Sequence, residues 1–204
     1  MLLRLKGLGV QNLFDFEFFD KRPSRDGLVQ SLDLLFHLGV IDDSGELTDP
    51  RGLLQVELPI DVRFGAAILA ANEQKYMVFN EMLTIASLMQ FSSQLFSNQV
   101  DSISVSKIKK RAHHGATEGD HITLLNIYNK LFAADKNQAQ RNGICRELRL
   151  NQWAWDKAHE VRQSLRKQLL TKLGVVVRKS DDYDDPQAIL KVLATSFFTN
   201  VAQR

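Results

Sequence analysis

From about Asn151 to Leu173, apolar side chains return at helical spacing: Ala154, Ala158, Val161, Leu165 and Leu169. Lys157, Arg162, Arg166 and Lys167 fall off that stripe. A helix with a single apolar stripe gains most of its stability by laying it on other helices. This half of the chain is therefore committed to a helical bundle. The partners are legible upstream. Ala66, Ala67, Leu69 and Ala70 are small enough for close helix packing, and Asn80–Gln90 turns Met82, Leu83, Ile85, Ala86 and Met89 inward. Asp120 is placed to cap a helix whose apolar side is Ile122, Leu124, Leu125 and Tyr128. Pro186–Val201 reads as a final helix. Val105–Ala112 reads as a solvated basic segment, polar Ala133–Gly143 as a loop and Asp181–Asp185 as an acidic turn.

The first 62 residues read differently. Leu28, Leu32, Leu35 and Phe36 predict a helix with a buried stripe, Ser24 or Asp26 as its cap and Gly39 at its end. Two short strands are expected within 40–48, around an Asp-Ser-Gly turn, with another helical stretch over Arg51–Glu57. Helices followed by a tight hairpin spell a winged helix. Its presumed recognition helix carries Asp33 and neither lysine nor arginine, which argues against insertion into a DNA groove and against a free-standing transcription regulator.

Charge divides the chain at the same place. Residues 1–62 hold eleven acids and six bases, so −5 of the overall +2 lies there and residues 63–204 carry +7. Ten bases against three acids fall within 141–179. The natural cut lies near Pro59–Arg63, giving units 1–62 and 63–204.

Several chemistries are excluded. No glycine precedes a lysine, so no phosphate loop of the G-x-x-x-x-G-K type exists, and neither G-x-S-x-G nor H-E-x-x-H occurs. Cys145 is alone, which removes disulfide frameworks and cysteine-based metal sites. His113, His114, Asp120 and His121 lack the spacing of a metal site. Apolar runs such as Ala66–Ala71 stop far short of the ~20 residues that span a bilayer. We expect no catalytic residue, metal or cofactor within this chain and no membrane partner. Composition suggests an intracellular setting and does not choose a compartment; the expectation is nuclear or cytoplasmic, with the nucleus slightly favoured.

Particular segments resemble one family. Leu5-Lys6-Gly7-Leu8-Gly9-Val10, Phe14-Asp15-Phe16, the acidic hairpin and Leu58-Pro59-Ile60-Asp61 are similar to the winged-helix part of DEAH/RHA-type RNA helicases. Glu81–Leu88 looks like the family's "LTIAAML" helix, and Glu118–Asn129 resembles its "SDHLTLLNVYN" segment. Val161-Arg162 with Gln168-Leu169, and Phe197–Ala202, resemble "VRxQL" and "GFFxNxA". The chain departs from the family at His113–Ala116, which lacks a proline, and at Ile144–Leu148.

The resemblance implies a mainly α chain, a winged helix over 1–62 followed by an all-helical ratchet bundle over 63–204. It implies an accessory module of an ATP-dependent RNA helicase. ATP and magnesium would sit in RecA-like motor domains outside this chain, and an oligonucleotide-binding-fold domain would follow. The expected partners are single-stranded RNA, those sister domains and a glycine-rich-patch activator on the winged helix. An RNA channel would use Lys107, Lys110, Arg111, Arg162, Arg166 and Lys167 for phosphates, and His121, Thr123 and Asn126 for hydrogen bonds. The alternative is a protein-interaction module built on the acidic winged helix.

Overall fold

The computed structural model describes residues 1–19, 23–73, 75–97, 118–133, 137–172, 177 and 185–200. Among them the secondary structure is helical. The helices are α1 (Leu2–Gly7), α2 (Arg25–His37), α3 (Arg51–Glu57), α4 (Val62–Ala71), α5 (Phe79–Met89), α6 (Asp120–Leu131), α7 (Gln138–Glu147), α8 (Gln152–Lys172) and α9 (Pro186–Ser196), with a 3₁₀ turn at Phe198–Asn200. Two compact units result, one from residues 1–70 with 193–204 and one from 71–192.

In the first unit, α1, α2 and α3 pack around Leu2, Leu13, Leu28, Leu35, Leu38, Val40, Ile41 and Ala66. Ser24 caps α2 as expected, its hydroxyl accepting from the Gly27 amide at 3.1 Å. The α2 stripe is narrower than its sequence suggests. Leu28 and Leu35 are buried and Leu32 is half-buried, but Phe36 is 48% exposed. The packed edge runs 28, 35, 38, and Phe36 falls on its flank, edge-on to His37.

The hairpin is corrected too. No strand occurs among the described residues; 40–48 contributes only the isolated bridge between Ile41 and Leu47. Backbone pairing around that bridge is short, with the Asp42 amide donating to the Glu46 carbonyl at 2.9 Å and the Thr48 amide to the Val40 carbonyl at 3.0 Å. Side chains add to it. Asp42 Oδ1 accepts from the Ser44 and Glu46 amides, both at 2.9 Å, and Thr48 Oγ1 donates to the Gly39 carbonyl at 2.7 Å. Gly52 is required beneath this turn, because a Cβ there would stand 2.2 Å from the Val40 carbonyl oxygen.

In the second unit α5 is the central helix, with α8 and α6 against it. Even its hydroxyls are buried, and Thr84 and Ser87 donate to the carbonyls one turn back, each at 2.8 Å. On α8 the expected stripe is buried at Ala154, Ala158, Leu165 and Leu169, while Val161 is half-buried. Trp155 lies fully inside, donating from Nε1 to the Leu95 carbonyl at 2.9 Å, whereas Trp153 is 56% exposed beside Phe91.

Two expectations fail here for local reasons. The loop expected over Ala133–Gly143 is mostly α7. Asn137 and Gln140 form a reciprocal capping box, and Ile144, Cys145 and Leu148 are buried on its far side. Asp120 is the first residue of α6 rather than its cap, which is Gly119 at φ +116.

Three helices end in one pattern, with a left-handed residue just past the helix and two backbone hydrogen bonds folding the chain back. At α1 that residue is Gly9 and at α2 it is Gly39, the residue type that adopts this backbone without strain. At α7 it is Arg149, at φ +51, with its amide reaching the Arg146 carbonyl and Leu150 that of Cys145. A side chain in this conformation costs ~1–2 kcal/mol.

Candidate nucleic-acid interface

Arg162 sits on the α8 face toward α5 and α6. Its Nε–H donates to Thr84 Oγ1 at 2.7 Å, and its guanidinium lies over the Tyr128 ring, 5.7 Å from the centroid. Thr84 is available because its hydroxyl proton is already committed to Asn80, which leaves a lone pair outward. Burial lifts the nearby Glu81 carboxyl above the ordinary carboxylate range, with the Arg162 charge pulling the other way.

The cluster continues past Tyr128. Its hydroxyl lies 2.6 Å from His159 Nδ1, and the His159 ring stacks on Phe132 at 4.2 Å and 11°. Arg141 covers the other end, 5.6 Å from the Phe132 centroid. Burial pushes the His159 imidazole below its usual pKa, and Arg162 and Arg141 add to the shift, outweighing Asp156 and Glu160. These causes favour the neutral form of the ring, which shares a hydrogen bond with the Tyr128 hydroxyl. The result is a layered row, Arg141, Phe132, His159, Tyr128 and Arg162, that fixes two guanidinium groups by cation–π contact. Such a row can orient positive charge.

Of the residues expected from sequence, Arg162 is drawn into this row. Thr123 is buried, and its hydroxyl donates to the Gly119 carbonyl at 3.0 Å, an internal helix bond. His121 is half-buried in the first turn of α6, where burial pushes its pKa down against Asp120. Asn126 is half-buried on the same helix. Arg166 is half-buried one turn beyond Arg162, and Lys167 is exposed. Lys107, Lys110 and Arg111, with His113 and His114, lie outside the described residues. Arg141, Phe132, Tyr128 and His159 were not anticipated. The spacing of His159 and Arg162 on one α8 face was the available signal.

The sequence of this mainly helical chain is similar to those of known proteins. Residues 61–124 match the ratchet-like helicase-associated domain. Over 203 residues the chain is 30% identical to the probable ATP-dependent RNA helicase DHX35 of Homo sapiens, covering 100% of this chain and 27% of that protein. It is 33% identical over 202 residues to a putative pre-mRNA-splicing factor ATP-dependent RNA helicase of Schizosaccharomyces pombe, covering 99% and 30%. With the pre-mRNA-splicing factor ATP-dependent RNA helicase DEAH10 of Arabidopsis thaliana it shares 28% over 214 residues, covering 100% and 29%. The chain carries a helicase-associated domain of the kind found in DEAH-type RNA helicases. It spans less than a third of the length of these relatives.

Proposed function

We propose that this chain is the C-terminal accessory region of an ATP-dependent DEAH-type RNA helicase acting in pre-mRNA splicing, and that it holds single-stranded RNA while motor domains hydrolyse ATP. The observation that carries this reading is similarity along the whole chain to relatives named as RNA helicases. In it, residues 1–62 act as a winged helix and 63–204 as the ratchet. The basic α8 side, with Arg166 and Lys167, meets phosphates alongside Lys107, Lys110 and Arg111, and His121, Thr123 and Asn126 support the RNA-facing helix. ATP and magnesium belong to the motor domains, since the sequence here has no phosphate loop. No helix among the described residues is long and apolar enough to cross a membrane, and a nuclear location fits a splicing role.

Fluorescence anisotropy with a labelled single-stranded RNA tests the reading. Affinity should fall steeply with salt, by a log–log slope of about 0.7 per phosphate contact. Affinity that salt leaves unchanged, or none at low salt, would refute it.

A second reading is favoured by an apolar groove of about 730 Å³ in the first unit, whose lining includes Leu2, Leu3, Leu28, Leu35, Val56 and Ile60. In this reading the groove receives a peptide from a glycine-rich-patch activator. Peptide binding that survives high salt would support it.

A further inference from the structure

The turn that joins α7 to α8 holds the arginine in left-handed backbone, and it borders a pocket of about 500 Å³. Ser97, Asn142, Arg146, Arg149 and Gln152 supply its polar lining, with Cys145 and Leu150 beside them. None of these lining residues is acidic. Neither the Arg146 nor the Arg149 guanidinium has a hydrogen bond or ion pair among the described residues, and both side chains are exposed. Asn142 Oδ1 accepts from Gln138, which leaves its amide N–H groups to face a ligand. Gln152 opens α8, a 21-residue helix without an acid in its first turn, so the positive end of a long helix dipole points here.

The backbone of the turn is fixed from outside. The Ser97 amide donates to the Arg149 carbonyl and the Asn151 amide to the Leu95 carbonyl, both at 3.0 Å. This pairing holds Arg149 in a conformation that glycine takes freely and that glycine does take at the equivalent ends of α1 and α2. Backbone strain kept at a concave, one-sign site is where function is to be sought.

We propose that this pocket binds one phosphate and its ribose from single-stranded RNA. Arg146 and Arg149 clamp the phosphate oxygens, and the amides of Asn142 and Gln152 and the Ser97 hydroxyl reach the sugar. The inference rests on the RNA reading above and adds a site to it, separate from the Arg162 row.

The test compares the 204-residue chain with R146Q, R149G and R149K for binding to labelled oligouridylate across a salt series, with thermal melts alongside. R149G removes strain and charge together. Its melting temperature should match or exceed the parent's, while its salt slope shrinks by about 0.7, and R146Q should lose a similar amount. R149K keeps the charge and should keep the slope. Parent binding with slopes unchanged in both R146Q and R149G would overturn the pocket and leave the RNA reading standing. No RNA binding by the parent would overturn both. A melting temperature lowered by R149G would make Arg149 a structural residue and overturn the assignment.

Discussion

Arg162 and Arg149 belong to the same basic stretch of sequence, and the fold uses them differently. Arg162 is turned toward α5 and α6, its Nε–H spent on Thr84 and its guanidinium spread over Tyr128. Arg149 stands in a strained turn with its guanidinium uncommitted among the described residues. A formal count gives each one positive charge. Packing makes the first a fastener between three helices and leaves the second facing solvent. Net charge therefore locates a basic region, but only the partners of each arginine say which part of it is free to meet an anion.

The largest expected effect lies at the fastener. Replacing Arg162 with Met keeps the stem and removes a charged hydrogen bond and a cation–π contact, at a cost of roughly 2–3 kcal/mol. Urea denaturation measures it. Stability within error of the parent would break the comparison, because Arg162 would then be as free as Arg149.

A smaller effect separates the row from a set of independent contacts. Tyr128→Phe removes the hydroxyl that is hydrogen-bonded to His159 Nδ1, costing about 1 kcal/mol. A hydroxyl bonded to the unprotonated nitrogen favours the neutral ring, so with its loss the His159 pKa, read by NMR titration, should rise. In the parent that pKa lies below the ordinary 6.5. A depressed histidine pKa means the unfolded state binds the proton more readily. Stability contributed by neutral His159 is thus present above the ordinary value and lost as pH falls below it toward the folded pKa. His121, depressed by burial, adds in the same direction. The parent should lose stability on mild acidification, and Y128F should lose less. An equal loss in both would place the pH dependence elsewhere.

How much of this was legible in sequence depended on how far apart the partners lie. The α8 stripe and the Ser24 cap are local patterns, and both appear in the fold. α7 was hidden because Ile144, Cys145 and Leu148 are diluted by Gln, Arg and Asn, so its cap rather than its hydropathy marks it. The expected hairpin shrinks to the Ile41–Leu47 bridge and its few backbone bonds, with Asp42 and Thr48 side chains adding to them. Arg162 could be named from the basic face of α8, yet its bond to Thr84 spans 78 residues, and no local pattern encodes that. The left-handed turn was equally silent, since Arg at a helix end reads as a favourable charge on the dipole rather than as strain.

The smallest effect sharpens the comparison at Arg149 by pairing it with a glycine-capped end. Gly9 has the same position after α1, at φ +87, and a Cβ there would meet nothing within 4 Å. Gly9→Ala therefore reports the bare cost of a side chain in left-handed backbone, about 1 kcal/mol of destabilisation. Arg149→Gly runs the exchange backwards and should return a similar amount. If the strain at Arg149 is uncompensated in the folded chain, the two changes should be nearly equal and opposite in urea denaturation. A gain from R149G well below the cost of G9A would mean that contacts of the Arg149 side chain already offset its strain. Arg149 would then resemble Arg162, a residue held by the fold rather than one held open by it, and the distinction between the two arginines would collapse.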